Sequence, residues 1–176
     1  NMGEFKLHLV PSGIFWPKVS CVIGNGVVVD PDVLLEEIET LTNKGIDTSR
    51  LFISERAHII MPYHVLLDSL EEKAKGMSAL GTTGRGVGPA YMDKTSRSGI
   101  RAGDLLNIDD MLPRLKQVMD TKNALITKIH DQPPIPFDDI YQLCLRWGQQ
   151  LKERIVPTEI MIQEALAQNQ LVLLEG

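Results

Sequence analysis

The chain has 176 residues, 43% apolar and 23% charged, enough for one domain with its own core. No apolar run approaches the roughly 20 residues that span a bilayer, and no basic, apolar, small-residue start of the secretory type is present, so a cytoplasmic protein with no membrane partner is predicted. A net charge of −5 argues against coating nucleic acid, which needs basic surface to replace counterions, but leaves room for a local pocket that takes one nucleotide.

Apolar–polar alternation from Phe5 to Val10 predicts a strand, broken by Pro11-Ser12-Gly13. Val19 to Ile23 and Val27 to Val29 flank Gly24-Asn25-Gly26. That reads either as a hairpin or as one strand with a loose centre, and the helix signals that follow at once favour the single strand. Asp30-Pro31 is a cap followed by a proline at the first helical position. Leu34, Ile38 and Leu41 then recur at helical spacing, and Gly45 ends the helix. Leu51 to Ser54 reads as a short strand. A second helix opens near Pro62, puts Leu66, Leu70 and Ala74 on one stripe and stops at Gly76.

Residues 81–104 read as a long segment rich in Gly, Thr and Arg. A third helix begins at Asp109 or Asp110, with Met111, Leu115, Val118, Ile126 and Ile129 on its apolar face and Pro113 in its first turn. Pro133-Pro134-Ile135-Pro136 is a rigid connector, followed by helices over about 138–154 and 158–167. Leu171-Val172-Leu173-Leu174 reads as a strand covered on both faces of a parallel sheet. Cys21 and Cys144 belong to no CxxC pair and read as buried thiols, and His8, His58, His64 and His130 lack zinc-ligand spacing, so no metal site is predicted. The class is α/β, with helices dominating the second half.

The chemistry concentrates in Gly81-Thr82-Thr83-Gly84-Arg85-Gly86-Val87-Gly88-Pro89-Ala90-Tyr91-Met92-Asp93-Lys94. Four glycines in eight residues are costly to order, and are useful where backbone must approach a ligand or take positive φ. Two adjacent hydroxyls and exposed amides can form an anion-binding concavity. Arg85, Lys94, Arg97 and Arg101 place four cations within 17 residues, three of them arginines whose planar fork suits phosphate oxygens. The segment is neither a GxxxxGK[ST] phosphate loop nor a GxGxxG dinucleotide fingerprint. From its chemistry alone it is a phosphate- or carboxylate-binding loop, or else a solvated glycine-rich surface loop.

That stretch, followed by Arg97-Ser98-Gly99-Ile100-Arg101-Ala102-Gly103-Asp104-Leu105, resembles the signature of adenylosuccinate synthetases. The segments Leu7 to Ile14, Ile23 to Val28, Tyr63 to Asp68 and Leu173 to Gly176 match that family in order, so the resemblance covers essentially the whole chain. It implies the helix-rich portion of a largely parallel-sheet, P-loop-like synthetase fold, with residues 1–176 a single fragment from the central part of the enzyme. It further implies GTP-dependent ligation of inosine monophosphate (IMP) and L-aspartate, with Mg2+, in a homodimer.

Carried over residue by residue, Thr83 matches the position whose hydroxyl contacts the IMP phosphate. Arg97 matches the arginine that reaches across the dimer to the partner's IMP. Thr82, Arg85 and Arg101 lie in the same signature as candidate supports of that site, and Arg85 and Arg101 read alternatively as structural pins held by ion pairs. Tyr91 and Asp93 read as structural. No catalytic residue and no metal ligand is carried over. The family's GDEGKGK-type loop, its catalytic-histidine loop and its later substrate loops have no counterpart here. The expectation is therefore that the fragment alone is inactive and binds neither GTP nor Mg2+. The competing reading is a non-catalytic nucleotide-binding or interaction module.

Overall fold

The computed structural model describes residues 5–76 and 81–175. Three short strands, β1 (Cys21–Ile23), β3 (Leu51–Ser54) and β5 (Ile155–Val156), form a parallel sheet in the order β1-β3-β5, and β2 (Val28–Val29) pairs in parallel with β4 (His58–Ile59). The register sets Val22 against Phe52, Ser54 against Val156 and Val28 against His58. Around the strands lie α1 (Pro31–Asn43), α2 (Pro62–Lys75), α3 (Val87–Ser96), α4 (Ile108–Lys128), α5 (Phe137–Leu151) and α6 (Thr158–Ala167), with short 3-10 turns at Ser12–Phe15 and Ala102–Leu106.

The strongest local signals produce the expected elements. Asp30 caps α1 by accepting the N–H groups of Asp32 and Val33 at 3.1 and 3.2 Å, and Pro31 presets the first turn. Leu34 and Leu41 are buried in the same main core as Leu51 and Ile53 of β3, each such side chain contributing about 1.5–3 kcal/mol by leaving water. From α5, the buried Trp147 donates its indole N–H to Asp32 at 2.8 Å, tying that helix to the start of α1. Cys21 and Cys144 are free and buried as expected, and burial pushes the Cys144 thiol up to about 12.

Several expectations fail for physical reasons. Residues 5–10 form no strand: Glu37 of α1, itself buried, accepts the N–H groups of His8, Leu9 and Val10 at 2.6, 3.0 and 3.3 Å, so those donors need no ladder. Gly24-Asn25-Gly26 is neither a hairpin turn nor the middle of one continuous strand. It breaks the extended segment into β1 and β2, each paired in parallel with its own partner. On α2 the buried face is Tyr63, His64, Leu67 and Asp68, while Leu66 and Leu70 are only partly buried and Ala74 is exposed. Ile129 lies just past α4 and is 70% exposed. The helix expected to reach 154 ends at Leu151, freeing Ile155 and Val156 to join β3. Residues 171–174 are largely exposed and pair with no strand among the described residues. The 81–104 segment contains a ten-residue helix, α3, that the glycines concealed.

Candidate functional site

The glycine-rich segment runs from Gly81 to the first turn of α3, along that helix, and back to the sheet. Gly86 is the N-cap of α3, at φ +74°, and a Cβ there would lie 2.7 Å from the Val65 nitrogen and 2.8 Å from the His64 carbonyl carbon. Both the left-handed backbone and the contact with α2 therefore demand glycine. Its N–H donates to the buried Asp68 carboxylate at 2.9 Å. Upstream, the Gly81 N–H donates to Glu72 at 2.6 Å. Thr82, Thr83 and Arg85 sit between these two attachments, all exposed. The N–H groups of Thr83, Gly84 and Arg85 reach no backbone or side-chain acceptor among the described residues.

Asp93, in the last turns of α3, is 4% exposed and is the hub of the segment. It accepts from His64 Nε2 at 2.9 Å and from Lys122 of α4 at 2.5 Å. His64 Nδ1 in turn accepts the Met61 N–H at 3.0 Å, which places the ring proton on Nε2. Burial alone would raise the pKa of Asp93, but the hydrogen bonds from His64 and Lys122 and the charge of Lys122 outweigh it and hold the carboxyl below its ordinary value. Burial dominates at His64, whose pKa is lowered despite Asp93, so the pair is a neutral imidazole donating to a carboxylate. The Asp93 carbonyl accepts the N–H groups of Ser98 and Gly99 at 3.0 and 3.1 Å, turning the chain at Arg97.

Arg97 caps the C-terminal end of α3 at φ +62°, a left-handed conformation that is uncommon for a residue with a side chain. From Gly99 onward the chain follows the strands backwards. Ile59 N–H donates to the Ile100 carbonyl at 2.8 Å and Ala102 N–H to the Ala57 carbonyl at 2.8 Å, with His58 bridged to Arg101. Two side chains of α3 reach the turn between β1 and β2: the Tyr91 hydroxyl donates to the Gly26 carbonyl at 3.0 Å, and Lys94 donates to the Asn25 carbonyl. Lys94 is held below the ordinary lysine range by burial and then by Arg101, and His58 below the imidazole range by burial, Lys94 and Arg101. The field at this end of α3 is positive.

The expected site residues thus fall into two groups. Thr82, Thr83 and Arg85 precede the N-terminal end of α3, while Arg97 and Arg101 follow its C-terminal end. A ten-residue helix separates the groups by about 15 Å of axial rise. Reading Arg85 and Arg101 as pins held by ion pairs finds no support, since no ion pair among the described residues engages Arg85, Arg97 or Arg101. Tyr91 and Asp93, read as structural from the sequence, make the intramolecular hydrogen bonds described above. The supporting carboxylates Asp68 and Glu72, with His64 and Lys122, were not foreseen as a group. Their signal was the spacing of 64, 68 and 72, one helical turn apart each time. No group of three or more His, Cys, Asp or Glu suited to a metal occurs among the described residues.

Comparison with known proteins follows the same lines. The sequence model of the family described as adenylosuccinate synthetase matches residues 1–176. An adenylosuccinate synthetase of Dehalococcoides mccartyi is 51% identical over 99% of this chain and 41% of its own length. One from Limosilactobacillus fermentum is 49% identical over 98% of this chain and 40% of its own. The fold superposes with a TM-score of 0.83 on the fully ligated adenylosuccinate synthetase of Plasmodium falciparum, at 33% identity, over 97% of this chain and 39% of that one. The chain spans about two fifths of the length of the curated relatives it matches.

Proposed function

Because the chain belongs to the adenylosuccinate synthetase family, we propose that it forms the phosphate end of an IMP site in an enzyme that ligates IMP and L-aspartate at the expense of GTP. In this reading Thr83 and its neighbouring amides bind the 5′-phosphate of IMP, Thr82 and Arg85 support them, and Arg97 neutralises the phosphate bound by a partner subunit. Arg101 and Lys94 add positive field beside Arg97.

The observation that carries the reading is the state of the 81–86 backbone. Gly84 and Gly86 both have positive φ, and the amides of Thr83, Gly84 and Arg85 have no acceptor among the described residues. Consecutive amides left free by such alternating backbone make a concavity for an anion. The division between protomers is supported by the length of α3. A guanidinium at its far end is poorly placed to meet a phosphate held at its near end, so Arg97 suits a second molecule's site. GTP and Mg2+ belong to the whole reaction, as the family resemblance implies. The part played by these residues is positional: holding IMP still and neutralising its phosphate, so that the transferred group meets its acceptor in one geometry.

The test is IMP binding measured calorimetrically in a chain of the relatives' full length. Thr83→Val, which keeps the shape and removes the hydroxyl, is expected to weaken IMP about tenfold, the scale of one hydrogen bond to a charged group. GTP binding is expected to stay as in the wild type. Unchanged IMP affinity would refute the role of Thr83. IMP affinity weakened together with GTP affinity would favour the reading of a general nucleotide-binding module.

A further inference from the structure

One stripe of α2 fastens the whole glycine-rich segment. Read from the end of the helix backwards, Glu72 takes the Gly81 N–H at 2.6 Å, Asp68 takes the Gly86 N–H at 2.9 Å, and His64 donates to Asp93 at 2.9 Å. The spacing of 72, 68 and 64 keeps these groups on one face, and the segment runs antiparallel to them. The first two bonds bracket Thr82 to Arg85, so both ends of the phosphate-binding stretch are held while its middle amides stay free. The acceptors are side-chain oxygens, a role that the amide oxygen of Gln or Asn can also fill. Pinning a loop at both ends removes most of its conformational freedom before a ligand arrives, which lowers the entropic cost of binding.

We propose that Asp68 and Glu72 are positioning residues for IMP: they consume the amides of Gly86 and Gly81 and thereby leave those of Thr83, Gly84 and Arg85 aimed at the phosphate. The proposal rests on the reading of this loop as the phosphate site. It assigns to α2 a role that its apolar stripe does not suggest, and it makes the oxygen acceptor, rather than the negative charge, the feature that matters.

The experiment compares Glu72→Ala and Asp68→Leu with Glu72→Gln and Asp68→Asn in a chain of the relatives' full length. The first pair removes the acceptor and the second keeps an amide oxygen in its place. Removing the acceptor is expected to raise the KM for IMP about tenfold. The KM for GTP should stay unchanged, and amide exchange at Gly81 and Gly86, whose acceptors are removed, should quicken. The Gln and Asn variants are expected to restore both properties. Glu72 is on the more open end of α2, so Glu72→Ala keeps the test valid if Asp68→Leu does not fold.

Faster exchange with an unchanged KM for IMP would overturn the proposal, as would a raised KM that Gln and Asn fail to rescue, or no change in either readout. Thr83→Val separates this from the underlying reading. If Thr83→Val leaves IMP affinity intact while Glu72→Ala weakens it, the role of Thr83 fails and the clamp stands. If Thr83→Val weakens IMP and Glu72→Ala does not, the clamp fails and the phosphate site stands.

Discussion

Gly86 and Lys122 show how single residues carry the site. At Gly86 a methyl group would meet α2 backbone at 2.7 Å in a conformation at φ +74°, so neither a rotamer change nor a small shift relieves it. Gly86→Ala is expected to lower stability by about 3 kcal/mol, combining a left-handed backbone penalty with overpacking. Gly88, whose Cβ would meet open space inside α3, is the control. Gly88→Ala is expected to be neutral or stabilising by up to about 1 kcal/mol. Urea unfolding of both variants is the check. Lys122 is the only cation paired with Asp93 among the described residues, and both side chains are largely buried, at 13% and 5% exposed. Lys122→Met leaves a buried carboxylate without its cation and is expected to cost about 3–5 kcal/mol. Adding Asp93→Asn removes the stranded charge and is expected to regain part of that loss, a coupling visible in a double-mutant cycle.

At the scale of elements, α2 and β4 each bury a histidine, and this gives the fold a pH dependence. Both His64 and His58 have folded pKa values below the ordinary 6.5, chiefly through burial. A lowered pKa means the folded state binds the proton less readily than the unfolded chain, so the stability involved is complete above pH 6.5 and is lost as pH falls below it towards the folded values. Asp93, also lowered, adds stability above its ordinary 3.8 that is lost at more acid pH. Thermal melting is therefore expected to be flat between about pH 7 and 8 and to fall on acidification. His64→Gln should be less stable than wild type at pH 7.5 but should lose less between pH 7.5 and 5.5. An equal loss in both proteins would show that His64 does not carry the effect.

The same elements show what was legible in sequence. The cap and proline at Asp30-Pro31 set the start of α1, because local hydrogen bonding alone decides such a boundary. The buried stripe of α2 was not legible. The usual rule sends leucines inward, but the face at 63, 64, 67 and 68 is claimed by partners distant in sequence, Asp93 and Gly86. Helix α3 was hidden because Gly88 and Pro89 argue against a helix, yet Pro89 lies in the first turn, where a missing N–H costs no hydrogen bond. The tail at 171–174 carries the composition of a covered strand, and composition cannot say which chain provides the cover.

For the whole molecule, the 81–101 segment was recognisable because its residue types and order are specific, and the family match along all 176 residues agrees with it. The distribution of those residues over two ends of a helix was not recognisable, since the sequence gives no sign that a helix intervenes. That distribution underlies the proposed exchange of Arg97 between subunits, and mixing two inactive variants of full relative length tests it most directly. Thr83→Glu sets a carboxylate against the phosphate of its own site, while Arg97→Leu removes the cation from the partner's site. In a two-fold dimer the mixed species then contains one site with both residues intact. A one-to-one mixture is expected to recover up to about a quarter of wild-type activity, half the dimers being mixed and half their sites complete. The contradicting result is no recovery in a mixture whose heterodimers are shown to form by native mass spectrometry; Arg97 would then act within its own chain.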